Sequence, residues 1–393
     1  MEINRRNFLK LSGAGVAGTV IVGNVSAQAA KTALHGSLLK PEKIIYRNLG
    51  RTGIKLPIVS MGAMNATNSN LITTALDAGI VYFDTAHSYQ EGRSEEMLGD
   101  LLKSRKRDSF VIATKINTRG SENPEKDLTE KFEKSLQRLQ MDYVDILFLH
   151  GPGTRELVLD EKTLKLFQEF KKQGKTKFIG ISIHRNIPDL IKAAIESKVW
   201  DVVLTSYNFR MQDFEDVKKS INEAAKAGIG VIAMKTMAGG YWDKEKTKKI
   251  NTTAALKWVL LDENVTTAIP GCSSFEQIEL NIKLLSNLEL TEQEQQDLKS
   301  DGTSAGLICV GCEQCVPQCP NKVPIPDLMR AFMYAYGYSN PNLAREVVDN
   351  LSIEQTACNK CPICNVECRL GFDIQGKAKD ILRIREVPKE FLV

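Results

Sequence analysis

The sequence is poor in histidine and tryptophan, has little net charge and contains no long apolar run. It has 4 histidines, 3 tryptophans and a formal charge of +4 among 393 residues. With so few histidines and no carboxylate–histidine spacing, we expect no mononuclear metal site. The weak charge argues against a nucleic-acid partner, and the apolar runs are too short for a stable transmembrane span. The length and the 42% hydrophobic content are typical of a soluble protein with more than one domain.

No G-x-G-x-x-G turn follows an early strand, which argues against a doubly wound open sheet. What is present is a short hairpin over 46–53, followed by apolar runs that alternate with amphipathic stretches of helical period. The runs lie at 56–62, 81–83, 110–114, 144–149, 178–181, 202–205, 230–233 and 266–269. Eight strands with intervening helices over about 240 residues predict an α/β fold, a (β/α)8 TIM barrel.

Four reactive side chains stand at or just after the ends of three successive strands. Asp84 ends the first of these strands and Tyr89 follows on the next loop. Lys115 ends FVIATK, and His150 ends VDILFLH. Because the carboxyl ends of barrel strands meet at one mouth, we expect these side chains to share a pocket. The alternative is that each is a hydrogen-bonded polar residue at a strand end.

Several motifs in order carry a resemblance to a known family. The sequence resembles the aldo/keto reductase family over about residues 44–300, through YRNLGRTGIKLPIVSMG, FDTAHSYQEGRSEEMLG, IATK, VDILFLHG, IGIS and IPGCSSFEQIELN. The resemblance implies a barrel domain over 46–300 and a nicotinamide dinucleotide lying across its mouth. It also implies a catalytic tetrad, namely Asp84, Tyr89, Lys115 and His150.

The chemistry of carbonyl reduction explains these residue types. The carbonyl carbon needs a hydride and the oxygen needs a proton. A tyrosine pKa near 10 is high for proton exchange at neutral pH, and a nearby ammonium lowers it. We therefore predict Tyr89 as general acid, Lys115 as the group that lowers its pKa, Asp84 as the partner of Lys115, and His150 as the residue that orients the substrate oxygen. His87 and His184 also follow strands, and we expect them to be polar lining residues.

The resemblance also implies cofactor contacts, although two segments depart from the family pattern. On strand seven the run Met234–Met237 replaces one that often carries a stacking aromatic residue. No arginine stands where the family often binds the 2′-phosphate, so NADP(H) and NAD(H) both remain open. The residues expected to contact cofactor are Gly62, Ser182, Tyr207, Met234, Lys235, Gly271, Ser273, Gln277 and Asn281.

The N-terminal residues have the features of an export signal. Residues 4–10 read NRRNFLK, and a mildly apolar run over 11–25 and a small-x-small sequence at 27–29 follow. This order resembles a bacterial twin-arginine signal. It predicts a signal peptide over 1–29, a connector over 30–45 and a periplasmic or other extracytoplasmic location. The alternatives are an uncleaved signal that tethers the protein to a membrane and a basic terminus on a cytoplasmic protein.

Eight of the nine cysteines lie between residues 309 and 368. They form two C-x2-C-x2-C-x3-C runs, the spacing of [4Fe–4S] binding runs. We predict two such clusters in a mainly helical ferredoxin-like domain over 301–393, which resembles an extension of some bacterial aldo/keto reductases. Between the two cysteine runs we predict a pair of helices at 325–336 and 343–350. One cluster, a zinc site and disulfides are the alternatives, and cross-ligation by the fourth cysteine of each run stays open. The ligands expected are Cys309, Cys312, Cys315, Cys319, Cys358, Cys361, Cys364 and Cys368.

Together these features predict an exported oxidoreductase. It would transfer hydride between a nicotinamide cofactor and a small carbonyl or alcohol substrate. The tail would exchange single electrons with a redox partner protein or stabilise the structure. Hydride moves two electrons and a cluster one, so a direct link needs a carrier such as a flavin, for which the sequence shows no site. The alternatives are a slow or non-catalytic redox-sensing or electron-transfer protein and a barrel that binds an unrelated metabolite.

Overall fold

A hairpin opens the part of the chain whose structure can be described. Its strands β1 (Tyr46–Asn48) and β2 (Lys55–Pro57) pair antiparallel. Gly50 in the turn has φ +50°, and a Cβ there would lie 2.3 Å from the Gly230 nitrogen, so only glycine fits. The side chains of Leu49 and Leu56 are buried in the barrel interior. The predicted hairpin is confirmed, and the predicted run at 56–62 divides between it and the first barrel strand.

Eight parallel strands follow, each paired with its neighbour in chain order. They are β3 (Met61–Gly62), β4 (Tyr82–Asp84), β5 (Val111–Ile116), β6 (Val144–His150), β7 (Thr176–Ile183), β8 (Val202–Ser206), β9 (Gly230–Met234) and β10 (Thr267–Ala268). Parallel bridges from Val59 to Ala268 and from Gly62 to Gly271 join the first strand to the last. The sheet is therefore closed, which confirms the barrel and excludes the doubly wound alternative.

Helices cover the barrel, and all but the last of those described bury apolar side chains. They are α1 (Ser69–Asp77), α2 (Arg93–Leu102), α3 (Pro124–Leu139), α4 (Arg155–Val158), α5 (Glu161–Lys172), α6 (Ile187–Ser197), α7 (Phe214–Lys226), α8 (Thr252–Leu260), α9 (Phe275–Leu284) and α10 (Glu292–Asp297). The sequence pattern does not give α1, in which two β-branched threonines weaken helix propensity. Its N-cap compensates, because the Asn68 side chain accepts a hydrogen bond from the Asn70 N–H at 2.9 Å.

The tail contains three further helices around a core of its own. They are α11 (Ile325–Phe332), α12 (Pro341–Asp349) and α13 (Ile374–Leu382). A π-helical turn, Met333–Gly337, continues α11. The two helices predicted at 325–336 and 343–350 are thus confirmed, and α13 is an addition. The core side chains include Val323, Leu328, Met329, Ala344, Val348, Ala378 and Ile381.

The tail packs on the end of the barrel at which the strands finish. Asn340 Nδ2 donates to Asn65 Oδ1 at 3.1 Å. Arg185, just after β7, pairs with Asp327 of α11 at 3.2 Å and with Glu313 at 3.0 Å. Barrel and tail fall within one compact unit. The tail therefore covers the barrel mouth, an arrangement that the sequence did not predict.

The computed structural model describes residues 41, 43–118, 123–211, 213–242, 247–299, 309, 313–337, 340–368 and 371–392. The predicted signal peptide over 1–29, the connector up to residue 40 and Cys312 lie outside this part of the chain. Among these described ranges, no helix has both the length and the apolar character needed to cross a membrane.

Candidate active site

A buried ion pair lies at the ends of β4 and β5. Lys115 Nζ donates to Asp84 Oδ1 and, at 2.6 Å, to the carbonyl oxygen of Thr85. Lys115 is 1% exposed and Asp84 2%. Burial lowers the pKa of Lys115 and raises that of Asp84, and in each case the charge of the partner opposes the shift. Each charge therefore depends on the other, because either one alone would be unpaired in the interior.

Tyr89 is held by a turn with unusual backbone angles. Gln90 and Glu91 have φ of 53° and 59°, in the left-handed region that non-glycine residues rarely adopt. The turn is fixed from outside, because Gln90 Nε2 donates to the Met64 carbonyl oxygen at 2.8 Å. Backbone strain of this kind persists where the surroundings impose it, and it is common at active sites.

The four predicted catalytic side chains meet in one place. Lys115 Nζ lies 4.8 Å from the centroid of the Tyr89 ring. The His150 ring meets the Tyr89 ring edge-on, with centroids 6.0 Å apart. The phenol therefore lies between the imidazole of β6 and the buried pair of β4 and β5, and all of these groups reach the same end of the barrel.

The predicted direction of the Tyr89 pKa is wrong for this structure. Burial raises the pKa of Tyr89 well above its ordinary value, and the carboxylate of Asp84 and the side chains of Tyr334 and Glu346 raise it further, while Arg330 lowers it. A lysine beside an exposed phenol would lower this pKa. Here the tail covers the site, and the desolvation that follows raises it. The phenol is therefore held in its protonated form.

A second polar network lies behind the site, and sequence reasoning missed it. Glu95 of α2 is fully buried and accepts a hydrogen bond from Thr114 Oγ1 at 2.6 Å and from Arg138 Nη1 at 3.4 Å. Arg138 also donates to the His87 carbonyl oxygen at 2.9 Å, and His87 Nδ1 lies 3.2 Å from Ser135 Oγ. Burial lowers the His87 pKa to about 4. His87 is thus hydrogen-bonded to α3, whereas His184 lines the pocket that Tyr89 and His150 also border.

The tail supplies about half of the lining of the pocket beside Tyr89 and His150, which we call the catalytic pocket. This cavity of about 50 Å³ is bounded on the barrel side by Ser88, Tyr89, Asn117, His150 and His184. On the tail side it is bounded by Arg330, Tyr334, Leu343, Glu346, Val347 and Asn350. The tail residues lie far from the barrel motifs in sequence, and no local pattern marks them. Only the packing of α11 and α12 against the mouth brings them to the site.

Unpaired buried hydroxyls mark where a cofactor would bind. The Oγ atoms of Ser182 and Ser206 and the Oγ1 of Thr236 are buried without a hydrogen-bond partner in the described part of the chain. These residues lie at or just after the ends of β7, β8 and β9. Buried hydroxyls usually have partners. These three unpartnered hydroxyls at one barrel mouth fit a ligand with amide or hydroxyl groups, such as a nicotinamide carboxamide and ribose. Ser182 is the only one of them that sequence reasoning identified.

The side chains of three other residues predicted to contact the cofactor lie in different surroundings. Met234 is buried in the barrel interior, and Lys235, next to it, borders a small cavity under the tail. Burial, with Arg330 nearby, lowers the Lys235 pKa to about 7. The Tyr207 ring instead packs on Trp258, and its hydroxyl lies 3.4 Å from Asp262. Tyr207 is therefore directed at α8, so its ring does not flank the mouth.

The expected adenine side of the site is built around the start of α9. Gln277 Oε1 accepts from the Ser273 N–H at 2.7 Å, and Asn281 donates to Cys272 Sγ at 3.1 Å. Asn281 is thus buried and engaged in the protein. Gly62 and Gly271 form the bridge that closes the barrel. Of this set, Ser273 faces a cavity of about 750 Å³ between barrel and tail.

The described cysteines of the tail lie close to its core. Cys309, Cys315, Cys319, Cys358 and Cys368 all belong to or pack against it. The pKa of the Cys358 thiol is raised by burial and by the thiols of Cys319, Cys364 and Cys361. In the described ranges, which omit Cys312, no group of three or more Cys, His, Asp or Glu has metal-ligand geometry. The predicted clusters therefore stay a prediction.

Comparison with known proteins identifies relatives of the barrel. Residues 62–253 match the model of the aldo/keto reductase family. An uncharacterized oxidoreductase of Bacillus subtilis is 30% identical, over 65% of this chain and 95% of that protein. L-Galactose dehydrogenase of Arabidopsis thaliana is 29% identical, over 65% of this chain and 92% of that protein. The fold is also similar to that of an aldo-keto reductase from Bacillus halodurans in its holo form, with a TM-score of 0.56 and 26% identity. The match covers 65% of this chain and 95% of that chain.

Proposed function

This chain belongs to the aldo/keto reductase family of oxidoreductases, and from that premise we propose that it interconverts a small carbonyl compound and its alcohol by hydride transfer with a nicotinamide cofactor. The observation that carries the proposal is the assembly of Tyr89, His150 and the buried Asp84–Lys115 pair at the barrel mouth. The bound cofactor would supply the hydride and its two electrons.

The residues of the chain would then manage the proton and the geometry. Tyr89, kept protonated by its surroundings, donates its proton to the substrate oxygen as negative charge develops there. Lys115 stabilises the phenolate that remains, and Asp84 keeps Lys115 charged and in place. His150 hydrogen-bonds the substrate oxygen and sets its angle. The tail helices exclude water from the pocket.

The cofactor fits the residues present at the mouth. The hydroxyls of Ser182, Ser206 and Thr236 are buried without partners in the described ranges and are the groups we expect to bind the nicotinamide half. The candidates for phosphate contacts are Ser273, which faces the cavity of about 750 Å³ between barrel and tail, and Lys235, which borders the small cavity under the tail. The choice between NADP(H) and NAD(H) follows from a direct comparison of the two Kd values by cofactor fluorescence.

The test is steady-state reduction of simple aldehydes by the purified protein, followed as loss of NADPH or NADH absorbance. Turnover supports the proposal, and its absence with both cofactors and a range of aldehydes contradicts it. Tyr46→Phe is a matched control for changes at Tyr89, because Tyr46 is exposed on the hairpin. It should leave turnover unchanged.

For the tail we propose two [4Fe–4S] clusters, on the spacing of its two cysteine runs. In two-cluster ferredoxins the fourth cysteine of a run binds the other cluster, and on that pattern Cys319 would join Cys358, Cys361 and Cys364. The clusters would supply one-electron transfer or structural stability. Iron and acid-labile sulfide in anaerobically purified protein test this proposal. About one zinc and no iron would contradict it.

We also propose export through the twin-arginine route, on the order of signal features in residues 4–29. This route carries folded proteins, which suits a chain that receives metal clusters before it leaves the cytoplasm. N-terminal sequencing of the exported protein tests the proposal. A start near residue 30 agrees with cleavage, whereas a start at Met1 in a membrane fraction identifies an uncleaved tether.

A second candidate function is a slow redox-sensing or electron-transfer protein. The observation that favours it is the small catalytic pocket, which at about 50 Å³ leaves little room for substrate when the tail covers the mouth. Here cofactor binds but aldehyde turnover is slow. Turnover rates above about 1 per second, in the ordinary range of enzymes, would favour the reductase.

A further inference from the structure

The two ends of the catalytic pocket differ in charge. At one end Arg330 and His184 also line a second small cavity, whose other lining residues include Arg185 and Lys235. At the opposite end Glu346 also lines the large cavity between barrel and tail. A ligand in the catalytic pocket therefore meets Arg330 and His184 at one end and the carboxylate of Glu346 at the other.

Arg330 is the cation best placed to meet a ligand. Its side chain is 11% exposed, and Nη2 donates to Asp327 Oδ1 at 2.5 Å. Among the described residues, Asp327 is the only hydrogen-bond partner of this guanidinium, so Nη1 and Nε donate to no other group there. Asp327 also accepts from Arg185 Nη1 at 3.2 Å, so this carboxylate is shared between two guanidinium groups. Arg330 is thus held in position by Asp327 while part of its planar donor set remains available to the pocket.

We propose that Arg330 binds a carboxylate of the substrate, so that the enzyme acts on small carbonyl or alcohol compounds that carry a carboxylate. This inference rests on the proposed function. A guanidinium in a water-poor pocket binds a carboxylate strongly and with defined geometry. Glu346 disfavours an anion at the opposite end. Together the two residues give the substrate one orientation, and the tail domain becomes the part of the molecule that sets specificity.

The redox step is unchanged by this recognition. The carbonyl carbon gains a hydride with its two electrons from the reduced nicotinamide cofactor proposed above, which leaves oxidised. The carbonyl oxygen gains the proton of Tyr89, and the carboxylate on Arg330 keeps its charge throughout. The reverse reaction returns the proton to Tyr89 and the hydride to the oxidised cofactor.

The first experiment uses the unaltered full-length protein. Aldehyde carboxylates of two to five carbons, from glyoxylate to 5-oxopentanoate, are compared with their methyl esters as substrates. At the preferred length we expect kcat/KM for the acid to exceed that for the ester by about 10-fold or more, because an unpaired Arg330 is costly in the ester complex. Equal values for acid and ester at every length would overturn the proposal.

The second experiment assigns the preference to one residue. Arg330→Met should lower kcat/KM for the acid by about 100-fold and change the ester by less than about 3-fold, while Arg330→Lys should retain part of the preference. Arg383→Met removes the same charge from an exposed position in the tail and should leave the acid-to-ester ratio unchanged. A loss that is equal for acid and ester would overturn the proposal, because it would place Arg330 at the cofactor or in the fold alone.

A binding measurement separates this inference from the proposed function. Propanoate and propanamide are titrated calorimetrically into the unaltered protein and into Arg330→Met. Propanoate should bind only the unaltered protein, and propanamide should bind neither. If no aldehyde is turned over but this pattern holds, the proposed function fails and the carboxylate site stands. If propanoate does not bind, or binds Arg330→Met equally well, the carboxylate site is refuted whatever the turnover.

Discussion

The barrel and the tail differ in what holds each together. In the barrel, short parallel strands close around an interior of large apolar side chains, such as Phe148, Leu204 and Ile232. In the tail, three short helices enclose a smaller core, and half-buried cysteines lie along its edge. A barrel of this size stabilises itself by burial, whereas a small cysteine-rich domain commonly depends on a metal. The candidate active site draws residues from both regions, so its geometry depends on the stability of each.

The largest effect should follow from breaking the ion pair inside the barrel. Lys115→Met leaves Asp84 buried without its partner and removes the charge beside Tyr89. We expect aldehyde reduction to fall by about 10³-fold and the free energy of unfolding by about 3 kcal/mol. Steady-state kinetics and denaturant titration measure the two losses. Lys103→Met, at an exposed pair with Asp100, is the control, and a normal rate in Lys115→Met would contradict the assignment.

The next effect should separate the two regions by their need for metal. Cys358→Ser should lower the iron content by about half, because it removes a ligand of one of the two proposed clusters. We expect the tail to become sensitive to protease while the barrel remains resistant. Metal analysis and limited proteolysis measure both. Cys272→Ser, within the barrel, should leave the iron content unchanged. An unaltered iron content in Cys358→Ser would contradict the ligand set.

A smaller effect should come from the contact that joins the regions. Asn340 caps α12 by accepting from the Leu343 N–H at 3.0 Å, and it also donates to Asn65. Asn340→Ala removes both bonds and should cost about 1 to 2 kcal/mol. Asn340→Asp keeps the cap and loses only the donation, so it should cost about half as much. Hydrogen exchange of the α12 amides measures both losses, and protection in Asn340→Asp equal to that of the unaltered protein would show that the bond to Asn65 contributes nothing.

The smallest expected effect concerns pH. A tyrosine pKa held above its ordinary value of about 10 means that Tyr89 stays protonated at neutral and mildly alkaline pH. The acid form is thus available below the raised pKa and is lost only above it. The kcat for aldehyde reduction should change by less than about 2-fold between pH 7 and 9. A fall across this range that Tyr89→Phe abolishes would indicate a lowered pKa, as the sequence alone suggested.

The barrel site could be predicted because strand ends fix where side chains lie. Because the apolar runs define parallel strands, Asp84, Lys115 and His150 are predicted to reach the same mouth, and they do. The cofactor residues were less predictable, since their side chains point in directions that packing decides. Tyr207, for example, turns toward Trp258. No sequence pattern marks the network of Glu95 and Arg138, because it links α2 and α3 through tertiary contacts alone.

The tail could be predicted only in its local features. The cysteine spacing and two of its helices follow from the sequence, but their position over the mouth does not. Polar contacts such as that between Arg185 and Asp327 set this position across 142 residues of chain. The direction of the Tyr89 pKa was missed for the same reason, because it depends on how completely the tail covers the phenol.

The most direct measurement of the central claim is turnover of an aldehyde by Tyr89→Phe beside the unaltered protein, both full-length and prepared anaerobically. Tyr46→Phe is the control, and cofactor Kd is measured in parallel. We predict an active unaltered protein and a loss of about 10³-fold in kcat for Tyr89→Phe, with cofactor binding retained. Full carbonyl reduction by Tyr89→Phe would contradict the account.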